Sequence, residues 1–546
     1  QAARRAEVGL AVDAAAGFYA QAAELGADAP PWELFEARAR CLVHAGQPGP
    51  AGDAYEHAAR LAEPEDAIRA LDLGRRAAEQ FLHCGQVARG KELFEAVLLH
   101  LDVAPVRTVS AAGKYSKLQR FRLGLTGYRV RPGRPADVAQ RVRLDALWGA
   151  TTSLALVNHQ IADAYGVMHL AEALQVDDPE RVVRALGYES AFLAGVEHWM
   201  LPAGRGEKLI RRVMALANDQ ATPYSLAWAR MSAGAAAWHQ ARWRDCVEEC
   251  ERAERIYAAE CRGVDWERAV TAVHRLYALA QLGEVEALAA AVPDGLHRAL
   301  AHGDLFAANH HRQGPACLHW LAADRPERAR QHLAEAAATW HDHDDLFSTQ
   351  HYHHLLAAAQ VDLYEGLPRA AWERMEAAWP RIAQAGFLLL GYCGAELWHL
   401  RGRAAVALLA QADVSPDEAA RARRVLRDAD RALRRTRVSV GEPFADLLAA
   451  AVAWLRGERE AGAGPAAGGG GPLRAAGHGA SCGVRPSLPG HPARRWRRGR
   501  PGPAGPRRPR ASRRLASVIA PGLVTSPGGA VVRAGRASSA SSPLPA

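Results

Sequence analysis

The sequence predicts an all-α protein in which antiparallel helix pairs repeat as a helical-hairpin solenoid, followed by a disordered basic tail. Residues 1–460 are rich in Ala, Leu, Arg and Glu and almost free of alternating β-branched runs, a composition typical of helices. Turn-like residues recur at a nearly constant spacing between helix-length segments. After Glu460 the composition changes abruptly to Gly, Pro, Ala, Arg and Ser, which favours disorder.

The repeat is defined by six turn positions, each between two segments long enough to form a helix. These positions are Gly46, Gly85, Ala241, Gly283, Asp324 and Gly366. The first two are 39 residues apart, and the last four follow one another at 42, 41 and 42 residues. Small residues predominate seven before, five after and twelve after each turn, and a larger apolar residue usually stands nine after it. Because close antiparallel helices need small side chains where their axes cross, the pattern predicts helical hairpins.

One unit resembles a known repeat family. The segment FEARARCLVHAGQPGPAGDAYEHAARLAEP of residues 35–64 is similar to the tetratricopeptide consensus, whereas the other units are looser and longer than that family's usual repeat. The matching residues are Phe35, Ala39, Gly46, Ala51, Tyr55 and Ala58. We expect an elongated array in which each hairpin contacts only its neighbours.

Local signals mark where some helices begin. Ser415 can cap a helix, Pro416 suits its first turn, and Glu418 completes a capping box. The Asp-Pro-Glu segment at 178–180 is a similar signal. The sequence therefore predicts helix starts at both places.

The chain divides into four parts by sequence. Residues 1–100 are predicted as N-terminal helical repeats, 101–143 as a basic connector, 144–460 as the tetratricopeptide-like repeat block, and 461–546 as the disordered tail. The chain begins at Gln1, without an initiator Met, in sequence that already reads as helix and has no cleavable signal before it. We therefore expect a piece of a longer protein that continues upstream.

The formal net charge of +9 belongs to the tail. Residues 461–546 contain 14 Arg and no Lys, Asp or Glu, which leaves 54 basic against 59 acidic residues, a net charge of −5, in residues 1–460. The charge balance therefore does not indicate a specific nucleic-acid partner. Two hypotheses for the tail stay open: a genuine basic disordered tail, or an out-of-frame reading of a further repeat in a GC-rich gene.

Cysteine usage and hydropathy bear on the compartment. The eight Cys are too sparse and irregular for a disulfide framework, which favours a reducing, cytoplasmic location. The most apolar segment, residues 387–400, contains Glu396 and is too short to span a bilayer, so we expect no membrane partner.

The connector carries a concentration of positive charge. Its segment KYSKLQRFRLGLTGYRVRPGRPADVAQRVR has nine Lys or Arg against the single acid Asp137, with Tyr115, Phe121 and Tyr128 between them. Such a stretch could contact nucleic acid or an acidic partner domain. The alternative, which we favour, is a solvated linker between two repeat blocks.

No motif predicts catalysis or cofactor binding. The pair Gly113-Lys114 lacks both the upstream Gly and the following hydroxyl of a phosphate-binding loop, and the kinase motifs HRD and DFG are absent. Residues 479–483 match the nucleophile elbow GxSxG, but no acid follows Glu460 to complete a triad. We predict no catalytic residue, no cofactor-binding residue and no metal ligand.

Two clusters contain residue types that bind metals. Eleven of the 23 His lie between His297 and His354, several of them in TWHDHDDLFSTQHYHHLL, where zinc could bind if a turn brought them together. No HExxH motif or Cys pair is nearby, so solvated and core His are the favoured interpretation. Cys246 and Cys250 lie at predicted packing positions, where a free Cys acts as a small hydrophobe.

Three segments carry a wider resemblance. They are EDAIRALDLGRRAAEQFLHCGQVARGKELFEAVL, RVRLDALWGATTSLALVNHQIADAYGVMHLAEAL and DPERVVRALGYESAFLAGVEHW. Segment order and composition over residues 30–455 resemble the C-terminal helical region of large bacterial, especially myxobacterial-type, serine/threonine protein kinases. In that family a kinase domain is followed by a predicted ATPase of the AAA/STAND class and then by degenerate repeats.

This resemblance implies a non-catalytic protein-interaction and sensory scaffold. Kinase and ATPase activity would lie upstream of Gln1, and the scaffold would contact another protein or those domains in cis. An alternative parent is a LuxR-type ATP-dependent transcription regulator with a C-terminal helix-turn-helix. The tail offers no such helix pair, which favours the kinase. A metal- or ligand-dependent enzyme is the third hypothesis.

Overall fold

The protein is all-α, as the sequence predicts. The computed structural model describes residues 1–457 except 10, 27–28, 132–133, 156–157, 201–203, 221 and 340–346. This described part contains 23 α-helices and two short 3-10 helices, and no strand.

The α-helices are α1 (Ala2–Val8), α2 (Val12–Glu24), α3 (Pro31–His44), α4 (Pro48–Ala62), α5 (Ala67–His83), α6 (Val87–His100), α7 (Val109–Leu125), α8 (Val138–Leu154), α9 (His159–Ala173), α10 (Pro179–Met200), α11 (Arg205–Gln220), α12 (Pro223–His239), α13 (Trp243–Glu260), α14 (Asp265–Leu282), α15 (Val285–Ala301), α16 (Leu305–Arg312), α17 (Leu318–Ala322), α18 (Pro326–Thr339), α19 (Thr349–Glu365), α20 (Pro368–Ala385), α21 (Gly391–Leu409), α22 (Pro416–Arg435) and α23 (Gly441–Leu455). The 3-10 helices are Gly314–Cys317 and Phe387–Leu389.

All six predicted turns are confirmed, and they share one backbone geometry. Each turn residue has a positive φ, between 56° and 83°, and separates two consecutive helices. In every case the amide of the next residue donates to the carbonyl five residues before it, as Gln47 N does to Leu42 O at 2.9 Å. This is the Schellman arrangement that ends a helix with a left-handed residue. Glycine suits it best, and Ala241 and Asp324 adopt it at the two turns without glycine.

The small residues of the repeat lie where paired helices approach each other. Gly234 on α12 is so close to α13 that a Cβ atom added to it would lie 2.7 Å from Cys250 Sγ. The larger residues nine positions after the turns are buried as well, among them Tyr55, Phe94 and Met375. The sequence pattern therefore corresponds to hairpin packing.

Both predicted helix starts are confirmed by side-chain caps. The Ser415 hydroxyl accepts a hydrogen bond from Glu418 N at 3.3 Å, and the Glu418 carboxylate accepts one from Ser415 N at 3.1 Å, so the capping box is complete. Asp178 accepts from Arg181 N at 3.2 Å at the start of α10.

The expectation that each hairpin contacts only its neighbours is wrong. The turn after α15 touches the turn after α3 closely enough that a Cβ atom on Gly303 would lie 2.5 Å from Gly46 O. His159 of α9 packs on Phe387 with ring centroids 4.7 Å apart, and α10 and α12 both contact α21. Lateral contacts of this kind arise when an array curves until distant units meet.

The predicted tail and the last residues of the predicted repeat block extend beyond this description. The tail, 461–546, lies outside the described residues, as do residues 458–460. Within the described part, no helix combines the length and apolar composition needed to cross a bilayer.

Candidate functional site

Helix α7 lies inside the predicted basic connector. Its N-cap is Thr108, whose hydroxyl accepts a hydrogen bond from Ala111 N at 3.2 Å. The main contact of α7 is with α9, two helices further along the chain, rather than with α6 or α8. One face of α7 therefore lies against the array, and the opposite face is exposed.

A buried charge network holds the inner face of α7. The Arg120 guanidinium donates two hydrogen bonds of 2.7 Å to the Asp163 carboxylate on α9, and its Nε lies 3.0 Å from Glu189 Oε2 on α10. The guanidinium also lies over the Phe192 ring, 3.4 Å from the ring centroid. Tyr128 completes the network by donating to Glu189 at 3.1 Å. Because Arg120 must face these carboxylates, the network fixes the rotation of α7 about its axis.

The electrostatics of this network follow from its burial. Burial raises the pKa of Glu189, and Arg120 offsets part of that rise. Burial acts to lower the pKa of Arg120, but the carboxylates of Asp163 and Glu189 outweigh it and raise that pKa above its usual range. The guanidinium and its acidic partners therefore depend on one another, and removing Arg120 would leave buried acids without a cation.

The face of α7 opposite Arg120 exposes three apolar side chains. Leu118, Phe121 and Leu125 are 50%, 65% and 73% exposed, respectively. They are spaced by three and four residues, so they lie on one side of the helix. Single exposed apolar residues are ordinary, whereas aligned ones form a patch. We refer to these three residues as the α7 stripe.

Positive charge borders the α7 stripe. Lys114, Lys117 and Arg122 are exposed, and none has an ion-pair partner within the described residues. No Asp or Glu occurs in the sequence between Asp102 and Asp137. The surface therefore combines exposed apolar area with positive charge that the chain itself does not neutralise.

A groove of about 430 Å³ lies beside the segment that leads into α7. Phe94 and Tyr165 are buried in its walls, and the Tyr165 hydroxyl accepts a hydrogen bond from Val106 N at 2.9 Å. At its rim Arg107 forms an ion pair with Glu95 at 3.5 Å. The volume is in the range of small-ligand pockets. However, Arg107 and Glu95 neutralise each other at its rim, whereas the cations beside the α7 stripe have no acidic partner among the described residues.

Buried carboxyl groups with raised pKa values occur in the core. Burial raises the pKa of Glu396 to about 7, against the hydrogen bonds that Tyr352 and Tyr392 donate to its two oxygens. Burial likewise raises the pKa of Glu267 to about 7, and Tyr224 donates to that carboxyl at 3.0 Å. In each case a tyrosine hydroxyl from another helix donates to the carboxyl, Tyr352 to Glu396 and Tyr224 to Glu267, an arrangement that supports packing.

The histidine cluster is divided between described and undescribed residues. His341 and His343 lie outside the described part of the chain. His310 and His353 are buried with ring centroids 4.6 Å apart, and burial lowers the pKa of His310 to about 4. Among the residues that the structure describes, no three His, Cys, Asp or Glu side chains come together as metal ligands.

The other sequence candidates lie within helices. Cys246 and Cys250 are fully buried where α13 packs on α12, with their sulfur atoms 4.0 Å apart. The pair Gly113-Lys114 lies inside α7, where the backbone amides serve the helix and cannot surround a phosphate group. Residues 479–483 lie outside the described residues.

Sequence reasoning identified part of the α7 surface and missed the rest. It singled out Phe121, which is exposed, together with Tyr128, which points inward to Glu189. Leu118 and Leu125 were not singled out. Their spacing with Phe121 was a usable signal, but apolar residues and cations occur all around α7, so the pattern alone does not tell which face is exposed.

Comparison with known proteins adds no family assignment. No protein-family model matches the chain, and no curated protein matches it.

Proposed function

We propose that the chain is a non-catalytic protein-interaction and sensory scaffold. We further propose that it is the C-terminal regulatory region of a bacterial serine/threonine protein kinase that carries an AAA/STAND-type ATPase module, located in the cytoplasm. The observation that carries the scaffold proposal is the α7 stripe with its unpaired cations. A helix fixed on the array by a buried charge network, yet exposing apolar residues, is arranged to meet another surface.

Two further features support the proposal. Hairpin arrays offer extended surfaces that bind other proteins through variable side chains. The seven Cys in the described residues are all free thiols, which supports a reducing compartment. The kinase assignment depends on the three segments between residues 65 and 199 that resemble the family.

The coding sequence upstream of Gln1 tests the assignment. We expect a kinase catalytic loop followed by a phosphate-binding loop in the same reading frame. Absence of both would remove the kinase proposal, and a helix-turn-helix encoded beyond residue 457 in any frame would favour the LuxR-type alternative.

An activity assay tests the scaffold role separately. The purified chain should show no magnesium-dependent ATP hydrolysis or protein phosphorylation, because phosphoryl transfer needs a positioned Lys and metal-holding acids. Turnover that a single substitution within this chain abolishes would contradict the proposal.

A further inference from the structure

The α7 surface has a chemistry that selects its partner. Apolar area favours a partner that also offers apolar area, and the flanking cations favour a negatively charged one. Lys114 continues the line of the α7 stripe toward the N-terminus, while Lys117 and Arg122 lie on its two sides. A partner that covers the stripe therefore places its own flanks against positive charge.

The spacing of the exposed apolar residues indicates that the partner is a helix. The stripe has the i, i+3, i+7 spacing by which one helix packs on another. It covers roughly 10 Å along an axis that rises about 1.5 Å per residue, which is two turns of a partner helix. Because Arg120 fixes the rotation of α7, the stripe is already oriented, and binding costs little conformational entropy on this side.

We infer that the exposed face of α7 is a docking site for an acidic amphipathic helix of a partner protein. Leu118, Phe121 and Leu125 receive the apolar side of that helix, and Lys114, Lys117 and Arg122 pair with Glu or Asp on its flanks. The biological role of this contact rests on the proposed scaffold function, but the binding itself does not.

Helix α22 provides a matched control within the chain. Arg423, Arg424 and Arg427 are exposed on α22, whereas the apolar side chains of this helix face the core. Helix α22 therefore exposes at least as many cations as α7, and of these two helices only α7 adds an exposed apolar stripe. A contact driven by charge alone would use both helices, and an amphipathic contact would use only α7.

The test is fluorescence anisotropy with a labelled synthetic peptide of about 20 residues, which spans ~30 Å as a helix. The peptide carries Leu at every third or fourth position and Glu at the flanking positions. A second peptide has the same composition with Leu distributed around the helix. The full chain should bind the first peptide more tightly than the second, because nonspecific attraction to the 14 Arg of the tail is the same for both peptides. Both affinities should fall as salt is added.

Substitutions on the two helices separate the alternatives. Phe121→Ala and the triple variant Lys114→Glu, Lys117→Glu, Arg122→Glu should each weaken binding about tenfold or more. Arg423→Glu, Arg424→Glu, Arg427→Glu should leave it unchanged. All these side chains are exposed, so circular dichroism should show unaltered folding. Equal binding by the Phe121→Ala variant, or equal loss in the α22 variant, would overturn the inference.

A vesicle-binding assay tests the alternative that the exposed face of α7 binds an anionic membrane. Because the tail alone carries 14 Arg, the chain should attract phosphatidylglycerol vesicles nonspecifically, and Phe121→Ala should leave that binding unchanged. Binding of anionic vesicles that the α7 substitutions abolish, without peptide binding, would replace the inference by a membrane contact. Failure in these assays would leave the upstream kinase test unaffected, so the docking inference and the kinase assignment can fail independently.

Discussion

Helices α7 and α22 are both rich in positive charge, but they are held on the array in opposite ways. Helix α22 faces the core with its whole apolar side, which comprises Ala422, Val425, Leu426, Ala429 and Leu433. Helix α7 faces the array with Arg120 and exposes Leu118, Phe121 and Leu125. In α22 the apolar residues stabilise the fold. In α7 a charge network takes over part of that task and leaves apolar residues available for another contact.

Loss of the charge network should have the largest effect. Arg120→Met leaves Asp163 and Glu189 in the protein interior without their cation, so we expect a loss of about 4 kcal/mol in the free energy of unfolding. Arg122→Met, on the exposed face of the same helix, should change it by no more than about 0.5 kcal/mol. Urea unfolding followed by circular dichroism measures both. If the two variants unfold at the same urea concentration, the network does not hold α7.

Removal of an apolar side chain should have the next largest effect, and this effect should differ between the two helices. Leu433 of α22 is fully buried, so Leu433→Ala should cost about 3 kcal/mol through lost burial and an unfilled cavity. Leu125→Ala on α7 should cost less than about 0.5 kcal/mol, since water already surrounds most of that side chain. The same unfolding experiment applies, and a large loss from Leu125→Ala would show that the α7 stripe is covered within the chain.

Removal of a helix cap should have the smallest effect on the free energy of unfolding. At neutral pH this effect should be about the same in both helices. Ser415→Ala and Thr108→Ala each remove one cap, at a cost of about 1 kcal/mol. The stability of the two caps should differ only at acidic pH. Hydrogen bonds from Ser415, and then Arg369, lower the pKa of Glu418, so its contribution is present at neutral pH and is lost as the pH falls through the folded-state value.

Amide hydrogen exchange of the first turns measures this difference, once intrinsic exchange rates are corrected for. Protection at the start of α22 should decrease in acid in the native chain and should be independent of pH in Glu418→Gln. The start of α7 has no acidic residue in its first turn and should show no such change. A pH response at both caps would assign the effect to general acid unfolding.

Local features of the fold could be predicted from the sequence because they depend on local chemistry. A left-handed turn needs Gly, or a residue such as Asp324 that tolerates it, and a capping box needs Ser415 and Glu418 three positions apart. The contact of Gly303 with Gly46 could not be predicted, because it depends on the summed curvature of all the hairpins between them. The site falls between these cases. Phe121 was singled out, but which face of α7 is exposed depends on Arg120 finding acids on α9 and α10.

The contact between the turns at Gly46 and Gly303 also has a mechanical consequence. An array whose units touch only their neighbours lengthens gradually under tension, because small rotations at successive interfaces add up. Here the N-terminal hairpins must first separate from the turn after α15 before the segment between them can lengthen. When residues 1 and 457 are pulled apart, we expect the separation of these two turns to appear as one abrupt step in the extension.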